Sequence, residues 1–258
     1  MLNAQSIEPP VTQFINEVLA DYLRLRADAV KSVSQTVTLG DQVLSAWIAT
    51  KSELELTNRT HGGLFNPLRS IAIGETTHSA LVGDFLNPQG SHGQASLFLD
   101  SFLALIGIPE PAAGKWAITV EKGRIDILLR RLNPHSVVII ENKSNGAIDQ
   151  TNQLYRYWHR NIHEPYPNLN GEPDFIKQRF KIVYLTPSLS KEPLGNSLDR
   201  PAKWNSIPGL PKNVPSELVR IVTLQELVKC WLTDPRVQIP ETNFRLTTFL
   251  QFYFELWQ

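Results

Sequence analysis

The 258-residue chain has a single cysteine, Cys230, and its formal charges cancel. One cysteine excludes an intramolecular disulfide and agrees with a reducing compartment. The sequence also lacks the CxxC and HExxH pairs typical of zinc sites. Because the net charge is zero and the pI is near 7, binding of a nucleic acid would require basic residues gathered on one face.

Long apolar runs are missing as well. No stretch approaches the roughly 20 apolar residues that span a bilayer, and the first ten residues lack the features of a signal peptide. We therefore expect a cytoplasmic protein without membrane association. The apolar fraction of 42% is ordinary for a globular protein, and the length suits one domain with a helical extension.

Helical periodicity dominates the N-terminal part. It predicts one amphipathic helix over about residues 11–33 and another over about 41–56, followed by turn formers at His61-Gly62-Gly63. We expect residues 1–60 to form an N-terminal helical extension and residues 61–258 to form one domain. Further helices are predicted over about 75–86, 149–161, 224–232 and 243–257. Another is predicted to follow Ser91 as its cap and to carry the apolar residues from Leu97 to Leu105.

The pattern of strands appears between these helices. Residues 116–131 alternate, and Val137 to Ile140 form an apolar run typical of a central strand. Two later strands are predicted at about 180–185 and 219–222. The segments 161–179 and 187–218 are rich in Pro, Asn and Ser, which leaves functional loops and solvated insertions as alternatives. Together the pattern predicts an α/β fold, with a small mixed sheet flanked by helices.

The pattern that indicates an active site consists of Asp126, Glu141 and Lys143. Residues two apart in a strand share a face, so Glu141 and Lys143 project together, and Asp126 joins them if the register of the preceding strand allows. Two close carboxylates repel each other, and a divalent cation such as Mg²⁺ relieves that repulsion. A nearby ammonium stabilises charge on a phosphate or positions water, which suits phosphodiester hydrolysis. For an isolated match, a surface Glu–Lys pair beside an unrelated Asp is the simpler explanation.

The surrounding residues make the pattern more specific. Residues 121–126 (EKGRID) and 139–143 (IIENK) resemble the two motif strands of the PD-(D/E)XK nuclease superfamily, the fold of many restriction enzymes and RecB-like nucleases. Gln153 and Tyr157, four residues apart on one helix face, are similar to the QxxxY motif of the RecB-like group. Residues 91–94 also resemble that branch.

The resemblance covers about residues 75–186 and departs from the family pattern at two positions. Ile125 stands where the motif has its proline, and Asn142 is the middle residue of the ExK string. Asn142 is tolerable there, because the family uses the backbone carbonyl of this residue as a metal ligand.

The resemblance implies a restriction-endonuclease-like fold and hydrolysis of DNA with Mg²⁺ or Mn²⁺. It implies Asp126, Glu141 and Glu75 as metal ligands, together with the Asn142 carbonyl. Lys143, Gln153 and Tyr157 would complete the catalytic set. The residues themselves leave Glu75 open to a role as a first-turn helix acid and Tyr157 to a role in the core.

Other polar and aromatic residues have two readings. Arg124, Arg156 and Arg160 would form a basic rim that contacts the DNA backbone, although ordinary solvated arginines explain them as well. His92 is expected to make a turn contact rather than to act as a base. Core packing is expected of Trp158, whereas Trp204 stays open between packing and base stacking.

The expected function is that of a metal-dependent deoxyribonuclease. Because no helix-turn-helix or zinc module is found, we expect a targeting or regulatory protein partner, as in a defence or repair system. RNA stays open as the substrate, and a catalytically inactive nuclease-fold module for nucleic-acid binding or assembly is a second alternative. A third alternative is a non-nuclease α/β protein that matches the family motifs by chance. That alternative would be favoured if Asp126 and Glu141 lay on opposite faces of the sheet.

Overall fold

The computed structural model describes residues 10–61, 65–110 and 112–258. Gly62 and Gly63 of the predicted turn lie outside the described residues. The chain divides into two compact units, one that ends at Phe65 and one that covers Asn66–Gln258. In the described residues, no helix is both long and apolar enough to cross a membrane.

In the described residues of the first unit there is one helix, α1 (Pro10–His61), of 52 residues. The prediction of two helices was therefore wrong. The stretch that separated them is rich in Ser and Thr, but it contains no proline to break a helix. Thr36 and Thr38 instead donate their hydroxyl protons to the carbonyls of Ser32 and Ser34, one turn earlier, so these side chains remain compatible with the helix.

The second unit is built on a mixed five-stranded sheet. Strand order follows chain order, and pairing is antiparallel from the first strand to the third and parallel from the third to the fifth. The strands are β1 (Trp116–Lys122), β2 (Ile125–Arg131), β3 (Ser136–Asn142), β4 (Phe180–Thr186) and β5 (Val219–Thr223). The strands predicted at about 137–140, 180–185 and 219–222 are confirmed. Residues 116–131, expected as one strand, form two, because Gly123 and Arg124 adopt left-handed conformations and turn the chain between β1 and β2.

Helices cover both faces of this sheet. The described α-helices are α2 (Glu75–Leu86), α3 (Leu97–Leu105), α4 (Gln153–Trp158), α5 (Asp174–Lys177), α6 (Gly195–Leu198), α7 (Leu224–Thr233) and α8 (Phe244–Glu255). A π-helical turn, His159–His163, continues α4. The short 3-10 turns are Pro67–Ser70, Leu169–Gly171, Ala202–Trp204 and Ser216–Leu218.

The alternation of β3 divides the interior into two cores. Val138 and Ile140 pack with α2, α3, α7 and α8 on one face of the sheet. Val137 and Ile139 pack with α4 on the other. Every residue of β3 is buried, as expected for a central strand with helices on both sides. The predicted α/β fold, with a small mixed sheet flanked by helices, is confirmed.

Two local predictions differ from the structure. Ser91 does not cap α3, which begins at Leu97; the Ser91 hydroxyl donates to Asp84 of α2 at 2.6 Å instead. The helix predicted over about 149–161 begins at Gln153, because Asn152 adopts a left-handed conformation with φ of 57°.

Candidate active site

The register of β2 and β3 brings the two motif strands together. Ile127 lies opposite Ile140 in this antiparallel pair, and the next step along the same register sets Asp126 opposite Glu141. Directly opposed residues of an antiparallel pair project to the same face. The two carboxylates therefore share a face of the sheet, and the condition that would have favoured a chance match is not met.

Lys143 is held between two acidic side chains. Its Nζ lies 2.7 Å from Oε1 of Glu141 and 3.4 Å from Oδ1 of Asp149. Asp149 also accepts hydrogen bonds from the Tyr184 hydroxyl, at 3.1 and 3.2 Å, and from the backbone amide of Leu194, at 2.8 Å. Because the side chains of Lys143, its two acidic partners and Tyr184 are all buried, the position of the lysine ammonium is fixed from two sides.

Sequence analysis missed Asp149 and Tyr184. Asp149 was predicted as the start of a helix, and Tyr184 was included in the strand predicted at about 180–185. Tyr184 is the partner of Glu141 in the parallel pairing of β3 with β4. It could therefore have been placed near the site if the pairing of these two strands had been known.

Helix α4 attaches to both motif strands. Gln153 donates from Nε2 to Oε1 of Glu141 at 2.9 Å and to the hydroxyl of Tyr157 at 3.1 Å. The Tyr157 hydroxyl in turn donates to the backbone carbonyl of Arg124. The structure thus brings Gln153 and Tyr157 to the candidate site, where they connect Glu141 to the segment before Asp126.

Asn142 contributes on both faces of the sheet. Its backbone amide donates to Oδ2 of Asp126 at 2.6 Å. Its side chain points to the opposite face, where Nδ2 donates to the carbonyl of Glu75 at 3.0 Å and to the hydroxyl of Ser79 at 3.1 Å. The middle residue of the ExK string therefore ties β3 to the start of α2.

Glu75 is placed beside the loop that follows β3. Its Oε1 accepts from the backbone amides of Asn145 at 3.3 Å and Ala147 at 3.4 Å. Among the described residues, no group of three or more His, Cys, Asp or Glu side chains is arranged to hold a metal ion. The role of Glu75 as a third carboxylate ligand therefore stays a prediction, and its observed contacts order the loop.

Burial raises the pKa of both motif carboxyls. The pKa of Asp126 is raised to about 6, mainly by burial, against the opposing effect of the Asn142 amide. The pKa of Glu141 is raised to about 7 by burial and by the neighbouring charge of Asp126. For Lys143, burial alone would lower the pKa, but the contacts with Glu141 and Asp149 outweigh it and the pKa is raised. The lysine is thus charged at neutral pH. The positive charge near the two carboxyls does not offset the effect of burial on their pKa values.

These residues fit a hard divalent cation. Oε2 of Glu141 is buried and has no hydrogen-bond partner among the described residues, which calls for an explanation in a folded protein. Two carboxylates and a backbone carbonyl also match the small number of protein ligands that Mg²⁺ takes while it keeps several waters. A cation at Asp126 and Glu141 would satisfy the free oxygen and offset the excess of negative charge.

The predicted basic rim is only partly exposed. Arg124 and Arg160 are exposed, whereas Arg156 is half-buried and donates to the carbonyl of Thr151 at 2.9 Å. Arg160 lines a groove of about 250 Å³ together with Lys122 and Arg130. The groove lies against the two strands that lead into and out of the Gly123-Arg124 turn. Lys122 and Arg130 are each four residues from Asp126 in the chain, and Arg160 comes to the same groove from the segment that follows α4.

The remaining residues with two readings have packing roles. His92 forms a turn, with Nε2 at 2.9 Å from the Asn87 carbonyl and Nδ1 accepting from the amide of Gln94 at 3.0 Å. Trp158 lies in the core. Trp204 is half-buried, with its ring 4.7 Å from that of His159.

Comparison with known proteins places most of the chain in a described family. The model of a family described as the PD-(D/E)XK nuclease superfamily matches residues 65–253. This range is more than half of the chain, and it includes all five strands and every residue of the candidate site. Neither the curated proteins nor the solved structures gave a match.

Proposed function

The chain belongs to the PD-(D/E)XK nuclease superfamily, and from that premise we propose that it is a deoxyribonuclease that depends on Mg²⁺ or Mn²⁺. One observation carries the proposal. Asp126 and Glu141 share one face of the sheet, and Lys143 lies 2.7 Å from Glu141. A superfamily member that had lost catalysis would be expected to lose at least one of these charges.

Each residue of the site has a distinct role in this proposal. Asp126, Glu141 and the carbonyl of Asn142 would hold the cation, which when bound supplies Lewis-acid polarisation of a phosphoryl oxygen and a lower pKa for water. Gln153 donates to Oε1 of Glu141, and Oε2, which has no partner among the described residues, would remain available to the cation.

Lys143 acts on the substrate. Its ammonium holds its proton at neutral pH, because Glu141 and Asp149 raise its pKa. It can therefore donate a hydrogen bond to a phosphate oxygen and stabilise the negative charge that grows there in the transition state. Glu75, held at the loop after β3, adds negative charge beside the same site.

We propose DNA as the substrate because it is the usual substrate of the superfamily and because basic side chains lie near the candidate site. Arg124 and Arg160 are exposed, and with Arg156 they would contact backbone phosphates, which fixes position without reading sequence. Selection of a target would then require a targeting or regulatory protein partner, as in a defence or repair system. An RNA-directed nuclease is the alternative with the same chemistry.

The test is a cleavage panel with the full chain. Supercoiled plasmid, linear duplex, single-stranded DNA and RNA would each be incubated with Mg²⁺, Mn²⁺ or EDTA. The variants are Asp126→Ala and Lys143→Ala, with Asp174→Ala and Lys203→Ala as controls, since both control residues are exposed. We expect metal-dependent cleavage of DNA that falls by roughly a hundredfold or more in the first two variants and is unchanged in the controls.

The other outcomes are equally clear. Equal cleavage by all variants would mean a contaminant or a different site. Cleavage of RNA alone would replace the proposed substrate. If no substrate is cleaved and calorimetry detects no binding of Mn²⁺ to the wild-type protein, the inactive-module alternative stands instead.

A further inference from the structure

Helix α1 carries a stripe of apolar side chains along most of its length. From Ile15 to Leu54, stripe positions recur every three or four residues, and at 100° per residue they fall within an arc of about 120°. The twelve positions are Ile15, Val18, Tyr22, Arg26, Val30, Val33, Val37, Gly40, Leu44, Trp47, Lys51 and Leu54. The nine large apolar side chains among them are between 50% and 64% exposed.

Such a stripe requires a partner. Helices in proteins owe most of their stability to the packing of an amphipathic face, and contiguous apolar surface of this extent marks an interaction site. The stripe is about 60 Å long. A compact domain of the size of Asn66–Gln258 has an expected radius of gyration of about 16 Å and is about 40 Å across, so an elongated partner fits the stripe better.

We propose that two copies of this chain associate through α1, with the two helices antiparallel and Val33 beside Val33 of the second copy. Counted from Val33, stripe positions lie 3, 7, 11, 15 and 18 residues toward the N-terminus. Toward the C-terminus they lie 4, 7, 11, 14 and 18 residues away. The two series agree within one residue, or about 1.5 Å along the helix, so each stripe position from Ile15 to Lys51 in one copy meets a stripe position in the other. Leu54, 21 residues from Val33, extends beyond the paired region.

The antiparallel arrangement also explains how Arg26, a charged position of the stripe, can be accommodated. Arg26 of one copy meets Gly40 of the other, whose missing side chain leaves room for the long arginine. Asp41, at the edge of the stripe, lies one residue further and on the same side as Arg26, so opposite charges meet twice across the pair. In a parallel pair, Arg26 would face Arg26 and Lys51 would face Lys51, which places like charges together in the interface.

Most other charges of α1 lie away from the stripe. At 100° per residue, Glu17, Arg24, Asp28, Lys31 and Glu53 fall on the opposite face of the helix. A contact strip about 60 Å long and one helix diameter wide buries about 700 Å² on each copy, close to the roughly 800 Å² per partner of a stable interface. The stripe is thus large enough for a dimer, and its charges favour a second copy of α1.

The first experiment measures the mass of the full chain by analytical ultracentrifugation across a concentration series. We expect a species of twice 29.1 kDa at tens of micromolar for the wild-type protein. Val33→Glu places two like charges side by side at the centre of the pair and should raise the dissociation constant by roughly a hundredfold. Gln35→Glu, which adds the same charge on the opposite face, should leave the dissociation constant unchanged.

The second experiment tests the direction of the helices. Arg26→Glu and Asp41→Lys should each weaken the dimer, and the double variant should restore it, because the exchanged charges meet again across the pair. In a parallel pair these two residues lie about 22 Å apart along the axis, so the double variant would not recover. That result would overturn the antiparallel arrangement, and a wild-type monomer, or a dimer unaffected by Val33→Glu, would overturn the proposal itself.

Discussion

Replacement of Asp126 by Asn should stabilise the metal-free protein while it abolishes cleavage. Burial raises the pKa of Asp126 from 3.8 to about 6, which means that the folded state disfavours the charged form. Asn has nearly the same shape and can still accept the hydrogen bond from the amide of Asn142, which measures 2.6 Å in the wild-type protein. The variant therefore removes the cost of a buried charge and keeps the local contact.

The size and sign of the change in stability follow from the raised pKa of Asp126. A pKa that is higher in the folded state lowers stability as the pH rises, beginning near the unfolded pKa and ending near the folded one. The shift corresponds to at most about 3 kcal/mol. Asp126 is half-buried, and solvent screening of its charge reduces the expected effect to about 1–2 kcal/mol. For a domain of this size, that free energy corresponds to a rise in Tm of about 2–8 °C.

The assay is thermal unfolding in EDTA from pH 3.5 to 8, with Asp174→Asn as the control because Asp174 is exposed. The Tm difference between Asp126→Asn and wild type should be near zero at the acid end, grow between about pH 4 and 6, and stay constant above. Saturating Mg²⁺ should then raise the Tm of the wild-type protein alone, by linkage. A variant that melts at or below the wild-type Tm in EDTA at pH 8 would refute the reasoning.

Two further predictions concern groups next to the site. Burial lowers the pKa of His78 from 6.5 to about 4, so its contribution to stability is present above pH 6.5 and is lost as the pH falls toward 4. His78→Phe should lower the free energy of unfolding by a constant amount at every pH, because the contact with the Tyr253 hydroxyl is lost. It should also remove up to about 3 kcal/mol of the pH dependence of that free energy in this window, as measured by urea unfolding. A pH dependence equal to that of the wild-type protein would contradict the prediction. Asp149→Asn should lower turnover about tenfold or more by loosening Lys143, whereas calorimetry should find Mn²⁺ affinity within about threefold of wild type. Loss of metal binding would instead make Asp149 part of the ligand set.

The strands were predictable because their signal is local. Alternation along 116–131 and the apolar run before Glu141 are consequences of burial on one or both faces, and they can be read without knowing the neighbours. Asp126, Glu141 and Lys143 were found in the same way, since two joined strands and a period of two already place them together. The contact between Lys143 and Asp149 could not be found, because it depends on how the loop after β3 returns to the sheet.

The long helix was missed for a different reason. The Ser and Thr residues between its two apolar halves have weak helix propensity, and Gly40 lowers it further. A reading of propensity alone therefore places a break there. The stripe from Ile15 to Leu54 continues through this stretch without a change of face, and that continuity was the stronger signal.

The zero net charge of the chain is less restrictive than it first suggests. Polyanion binding depends on where the cations lie, and Lys122, Arg130 and Arg160 line one groove beside the β1–β2 turn. The carboxylates of the proposed site, in contrast, would repel a phosphate backbone unless a cation were held between them. In the proposed function, attraction at the groove and repulsion by the carboxylates together would favour binding of DNA after the cation, and cleavage would then be controlled by the cation at Asp126 and Glu141.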